Sequence, residues 1–160
     1  MSIRGAVAED WPALWSIIAA VIRSGDTYTL EPQASEAEAH AYWIDAGLGT
    51  YVAELEGEIV GTYILRANQR GLGSHVANAG YMVRPKYSGR GIGALLAEHS
   101  FVTARASGFE AMQFNAVVST NARAIALWQR LGFVIIGTIP RGFRHQSLGY
   151  VDLHVMHRFL

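Results

Sequence analysis

Apolar residues along this chain switch between two spacings, and each switch marks an element. Ile3 to Val7 reads as a short strand. Leu14, Trp15, Ile18, Val21 and Ile22 then recur at helical spacing. Acidic residues and a proline in Glu9-Asp10-Trp11-Pro12 suit a helix start, so a helix is predicted to about Arg23. Ser24 to Ala34, with Gly25, Asp26, Tyr28 and Pro32, reads as a loop. Ser35 before Glu36-Ala37-Glu38 is a serine cap on a helix that leads to Trp43 and Ile44. Trp11, Trp15 and Trp43 fit the core faces of these helices better than ligand stacking.

Tyr51–Leu55 and Ile59–Leu65 read as strands across the turn Glu56-Gly57-Glu58. Asn68 to Ser74 is a polar loop, and His75 to Arg84 is a further strand stopped by Pro85. A helix follows from about Gly89 to Ser107, then a strand over Glu110–Val118 and a helix over Thr120–Leu131 closed by Gly132. Phe133–Ile139 and Tyr150–Phe159 form two last strands joined by a connection, Pro140 to Gly149. Repeats and linker-like stretches are absent. The elements predict a single α/β (α+β) domain over residues 1–160, with a mixed sheet of about seven strands and four helices.

Composition narrows the function classes. Hydrophobic residues make up 51% and charged residues 16% of 160, a globular balance sufficient for one core. Thirteen basic residues face thirteen acidic ones, so no net field draws the chain to nucleic acid or an anionic membrane. The absence of cysteine removes disulfides, thiolate metal sites and a cysteine nucleophile. The six histidines show no metal spacing, and no metal is expected. Met1 to Asp10 lacks a signal-peptide pattern, and the longest apolar run is far short of the roughly 20 residues a bilayer span needs. A cytoplasmic protein is the expectation.

The chemically informative stretch is Val83-Arg84-Pro85-Lys86-Tyr87-Ser88-Gly89-Arg90-Gly91-Ile92-Gly93-Ala94, a strand end, a glycine-rich turn and a helix start. First-turn N–H groups of a helix have no intrahelical partner, and the helix dipole adds partial positive charge. Glycines let an anion approach, so a phosphate or pyrophosphate fits, with Arg90 and Lys86 adding charge. The alternative is a sharp strand-to-helix turn and nothing more. Neither the Rossmann spacing nor a P-loop is present.

Two motifs together resemble the GNAT superfamily of N-acetyltransferases. Its signature Gln/Arg-x-x-Gly-x-Gly/Ala falls on Ser88-Gly89-Arg90-Gly91-Ile92-Gly93, and its Asn followed by a helix ending in Leu-Tyr-x-x-x-Gly-Phe falls on Asn121 through Leu127-Trp128-Gln129-Arg130-Leu131-Gly132-Phe133. The resemblance implies acetyl-CoA as co-substrate, with its pantetheine arm in a gap between His75–Arg84 and Glu110–Val118, paired with backbone near Met82 and Val83. The amides of Gly89, Arg90, Gly91, Ile92, Gly93 and Ala94 would hold the pyrophosphate, and Asn121 would contact the cofactor from the other side. A backbone N–H near Val83 would stabilise the oxyanion of direct attack by an amine in a ternary complex. Two positions depart from the pattern. Ser88 replaces the usual Gln or Arg, and Trp128 replaces a tyrosine that often protonates the leaving thiolate. An indole N–H donates a hydrogen bond but is no acid near neutral pH.

Gly73–Asn78, Gln113–Asn121 and the stretches Phe143-Arg144-His145 and Gly149–Asp152 are similar to the proline-analogue branch, which acetylates azetidine-2-carboxylate and related imino acids. That similarity implies active-site roles for Asn78 and Asn115. Asparagine is also depleted in strands, although each could instead serve a bulge or a neighbouring backbone group. Strict alternation puts Asn78 and Tyr81 on opposite faces, and a bulge at Gly80 would bring both to the cleft. Candidate bases are His75, His145 and Glu31. Tyr28, Tyr81, Arg144 and His145 are candidate acceptor contacts, with Arg144 suited to a carboxylate. The expected partner is a small-molecule amine, an amino or cyclic imino acid, with a homodimer through late strands. A protein or peptide acetyltransferase and a non-catalytic acyl-CoA-binding module are the competing readings.

Overall fold

The computed structural model describes residues 1–45 and 47–160. Among these lie seven strands: β1 (Ser2–Gly5), β2 (Gly49–Leu55), β3 (Glu58–Ala67), β4 (Val76–Val83), β5 (Ala111–Val118), β6 (Val134–His145) and β7 (Gly149–Phe159). They form one sheet in the order β1-β2-β3-β4-β5-β7-β6, antiparallel throughout except between β4 and β5. Four helices cover it: α1 (Trp11–Arg23), α2 (Glu36–His40), α3 (Ile92–Ala106) and α4 (Ala122–Arg130).

Alternation along the central strands divides the core in two. Ile64 and Met82 face α1, whose Leu14, Ile18 and Ile22 recur every fourth residue and are all buried. Tyr63, Leu65 and Ala79 face the other way, against Leu96 and Phe101 of α3 and Trp128 of α4. Ser35 caps α2 as expected: its hydroxyl accepts from the Glu38 N–H, while the Glu38 carboxylate accepts from the Ser35 N–H at 2.8 Å. The helix continues as a π-helical turn over Ala41–Asp45, which delivers Trp43 to the core. There the indole N–H donates to Thr62 Oγ1 at 3.1 Å. Trp11 and Trp15 are half-buried and stack on each other at 6.5 Å.

Three expectations are corrected. Regular α3 begins at Ile92 rather than near Gly89, because Gly89 and Gly91 adopt φ of 88° and 81°, outside the helical region. The stretch from Pro140 is no long connection: β6 runs to His145 and turns back at once into β7. Pro140 and Gly142 suggest a loop by type, yet they occupy a register shift between Ile139 and Phe143. An irregular stretch of an edge strand tolerates a missing N–H. Finally, β3 and β4 pair in step from Gly61–Val83 to Ala67–Ala77, so there is no bulge at Gly80 between them. Asn78 and Tyr81 therefore stay on opposite faces.

Candidate active site

The sheet opens at its centre. β4 and β5 pair only through Val76–Ala111 and Ala77–Met112, then part. At the next position Asn78 Nδ2 donates to the Gln113 carbonyl at 2.9 Å, so a side chain spans the point where the strands diverge. A bulge does occur here, on β5 rather than β4. Phe114 pairs with Met156 and Val117 with His154, leaving Asn115 and Ala116 opposite the single residue Val155. A cavity of about 820 Å³ fills the gap and reaches from the glycine turn to Tyr28, Tyr42 and Arg66.

The backbone of β4 offers this cavity alternate residues. The Arg84 N–H donates to Val60 at 2.8 Å, and Gly61 sits opposite Val83. Antiparallel alternation then turns the peptide groups of Val83 and Tyr81 away from β3, into the gap. Met82 directs its own toward Thr62 and buries its side chain against α1, so Val83 presents the pairing edge and Met82 does not. The Tyr81 carbonyl is already taken by the Tyr28 hydroxyl at 2.9 Å. A Cβ at Gly80 would stand 3.0 Å from that hydroxyl, which explains the glycine without a bulge. Burial holds the Tyr28 hydroxyl well above its usual pKa, so it stays protonated and keeps its proton on the Tyr81 carbonyl.

At the wide end, Gly91 is the left-handed N-cap of α3. The Ala94 and Leu95 N–H groups both donate to the Gly91 carbonyl, at 3.0 and 3.2 Å. Those of Ile92 and Gly93, in the first turn, have no intrahelical acceptor. The expected cations behave differently from each other. Lys86 lies 2.8 Å from Glu58 Oε1, and its hydrogen bond is the main cause holding that carboxyl below its usual range. Arg90 is exposed, with its guanidinium 5.0 Å from the Tyr87 ring, and only its backbone belongs to the turn. A cation the sequence reading missed stands there instead. Arg123, in the first turn of α4, donates through Nη1 to Ser88 Oγ at 2.9 Å, and a Cβ on Gly89 would come 2.9 Å from its Nη2. Its place two residues after Asn121 was the available signal. Asn121 spends its carbonyl oxygen capping α4, accepting from the Ala124 N–H at 3.2 Å, and keeps its amide N–H groups.

At the narrow end a polar cluster lies on the α1 face. Arg66 donates through Nε to Asn78 Oδ1 at 3.3 Å and through Nη2 to the Tyr42 hydroxyl at 2.9 Å. Asn115 donates to Asn68 Oδ1 at 2.7 Å and accepts from Gln113 Nε2 at 2.8 Å. Asn78 and Asn115 thus meet at one mouth, together with Tyr28 of the facing loop; Arg66 and Tyr42 join them unannounced by any motif. Tyr81 does not. Its hydroxyl bonds Ser100 at 2.6 Å on the α3 face, and its ring packs 5.1 Å from Trp128. Trp128 is itself buried, 4.8 Å from Phe114, and still lines the gap.

The remaining candidates stand outside. Arg144 is exposed on β6 opposite Tyr150. His145 Nδ1 accepts from the N–H groups of Ser147 and Leu148, closing the β6–β7 turn. His75 and Glu31 are exposed. None of the four lines the cavity, and no carboxylate or imidazole does among the described residues. The β6–β7 turn meets the loop after α1 through a bond from Gln146 N–H to the Gly25 carbonyl at 3.0 Å. No group of three or more histidine or acidic side chains able to hold a metal occurs among the described residues, and no helix there is long and apolar enough to cross a membrane.

Residues 13–133 match the model of the acetyltransferase (GNAT) family. Over 109 residues the chain is 34% identical to the N-acetyltransferase aca1 of Schizosaccharomyces pombe, a match covering 68% of this chain and 52% of that protein. The chain thus spans about half the length of that curated relative. A GCN5-related N-acetyltransferase from Kribbella flavida is 40% identical with a TM-score of 0.93, over 99% of this chain and 97% of that one. A phosphinothricin acetyltransferase from Sinorhizobium meliloti, in complex with acetyl-CoA, shares the fold at a TM-score of 0.87 and 24% identity, over 99% of this chain and 88% of that one. With the parted strands and the glycine turn in place, these matches show that the chain belongs to the acetyltransferase (GNAT) family.

Proposed function

We propose that the chain transfers an acetyl group from acetyl-CoA to the amine of a small molecule, an amino or cyclic imino acid, by direct attack in a ternary complex. One observation carries this reading: a single cavity joins a glycine-rich helix start to a polar mouth through a gap in the sheet. The residues fit the co-substrate. Gly91 leaves open space where a Cβ would point, beside first-turn amides free to hold a pyrophosphate. Arg123 stands against the same turn and the amide of Asn121 faces it from α4.

Acetyl-CoA supplies an activated thioester. The Val83 N–H, turned into the gap, donates to the acyl oxygen as negative charge develops there. The Trp128 indole N–H donates a hydrogen bond toward the departing sulfur; a thiol pKa near 8.5 makes it a fair leaving group without a protein acid. Asn115, on the bulge, faces the acceptor with hydrogen-bonding capacity to spare. Holding both reactants in one cleft supplies much of the rate. With no base in the lining, the amine enters neutral or loses its proton to water.

The wall formed by the Gln146–Gly25 contact favours a small acceptor over a peptide in a groove. We further propose a homodimer through β6, an edge strand that leaves Val134, Ile136 and Ile139 exposed. The test is release of free CoA from acetyl-CoA over amino acids, imino acids, amines and peptides. Turnover on small amines supports the reading. Turnover on peptides alone would replace it with the peptide reading, and tight acetyl-CoA binding without turnover on any amine would leave a binding module.

A further inference from the structure

We infer that the acceptor carries a carboxylate and that Arg66 binds it at the narrow end of the cleft. This assignment rests on the acetyl-transfer reading above and adds the side chain that recognises the acceptor's carboxylate.

Arg66, next to last in β3, sits opposite Asn78 on the face that α1 covers. Its guanidinium is held from three sides. Asn78 Oδ1 takes the Nε–H at 3.3 Å, the Tyr42 hydroxyl takes one Nη2–H at 2.9 Å, and the Tyr42 ring lies 4.8 Å from its centre. A guanidinium has five N–H donors, so three remain. They belong to a half-buried side chain that lines both the main cavity and an adjoining polar recess of about 530 Å³.

Arg66 lines the cleft without a counter-ion; among the described residues Arg141, Arg144 and Arg158 of the sheet also lack an ion pair but line neither cavity. Arg4 pairs with Asp10 and Glu54, and both Arg84 and Lys86 pair with Glu58. Among the described residues Arg66 has no ion pair, and no Asp or Glu lines either cavity. Arg70 adds a second cation to the recess. Withdrawing a charge from water without a partner is costly, and a planar carboxylate matches the free edge of a fixed guanidinium. The same positive recess disfavours a polyamine, whose second ammonium finds no anion. Asn78 becomes a positioning residue, since both ends of its amide are engaged, one on Arg66 and one on Gln113.

The test uses matched acceptors with saturating acetyl-CoA: L-proline, L-prolinamide and pyrrolidine; L-alanine, L-alaninamide and ethylamine; and spermidine. The carboxylate member of any series that turns over should exceed its amide in kcat/KM by about tenfold or more. That direction opposes intrinsic reactivity, because the amides have the lower amine pKa and are more often neutral. In Arg66→Gln the preference should fall to near unity, with the acetyl-CoA Kd kept within about twofold as the check on folding. Arg66→Lys, which keeps the charge and loses the fork, should keep a part of it, and it decides the matter if Arg66→Gln does not fold. Carboxylates no better than amides in the native protein, or a preference undiminished in the folded variants, would overturn the assignment. A protein that binds acetyl-CoA and acetylates no amine of any charge would overturn the transfer reading itself, which is a different result.

Discussion

Arg123 on α4 donates to the hydroxyl of Ser88, one residue before the first glycine of the glycine turn, at 2.9 Å. Where the family pattern has Gln or Arg, this chain has a serine with a guanidinium set on it by a helix from across the gap. Arg123→Ala should raise the acetyl-CoA Kd by about tenfold, the scale of one charge-assisted contact. Ser88→Ala, which removes only the hydroxyl beneath the guanidinium, should cost less. Calorimetric titration of both variants checks the order, and the reverse order would make Ser88 the contact.

The glycines of the turn should separate by backbone rather than by space. Gly91 has φ of 81° with nothing within 4 Å of its absent Cβ, so Gly91→Ala is strained but unobstructed. It should cost about 1–2 kcal/mol in stability or be relieved by deforming the amide cradle, weakening acetyl-CoA. A Cβ on Gly93 would make an ordinary 3.5 Å contact with Leu127, so Gly93→Ala should be tolerated. Thermal unfolding and acetyl-CoA titration on the pair separate these outcomes.

With no imidazole or carboxylate in the lining among the described residues, and the Tyr28 hydroxyl held protonated by burial, the pH profile should belong to the acceptor. The kcat/KM should rise with pH as the amine deprotonates and level off at the amine's own pKa. Two acceptors of different pKa should show two different inflections. A common inflection near about 6.5 for both would point to a histidine base.

Trp128→Phe keeps an aromatic ring against Phe114 and removes the indole N–H. A lost hydrogen bond worth about 0.5–1.5 kcal/mol should lower kcat by roughly two- to tenfold with the acetyl-CoA Kd little changed. An unaltered kcat would reduce Trp128 to packing.

Asp10 ties β1 to the start of α1, accepting from Arg4 at 2.7 and 2.9 Å and from the Val7 N–H at 2.9 Å. The Arg4 hydrogen bond is the largest cause holding its carboxyl below the usual carboxylate range. A lowered folded-state pKa stabilises the fold above the ordinary value, and the contribution is lost as pH falls through the folded one. Asp10→Ala should cost about 1–3 kcal/mol at neutral pH, and the gap in Tm should narrow on acidification.

The regular elements and the glycine turn were legible because periodicity and local φ requirements are written in neighbouring residues. What escaped depended on pairing. A glycine inside a strand can mark a bulge, but Gly80 makes room for Tyr28. The bulge lies at Asn115–Ala116, set by register with β7 some forty residues later. Arg66 carries no motif, whereas Arg144 is the arginine that the sequence offers to a carboxylate. Only the β3–β4 register puts Arg66 beside Asn78, while Arg144 follows β6 to the sheet's edge. The Pro140–Gly149 stretch reads as a connection because a proline and two glycines mark loops and irregular strands alike.

The Asn78–Gln113 bond has a mechanical side. β1 to β4 and β5 to β7 meet along a short seam: two paired positions, the Glu110 N–H on the His75 carbonyl and one side-chain amide. Beyond the seam the halves are braced by Tyr81 against Trp128, Asn115 on Asn68, Arg123 on Ser88 and the Gln146–Gly25 bond. The gap is thus a door wedged ajar: its width is set by the protein's own contacts, and a ligand laid in it need not force the halves apart.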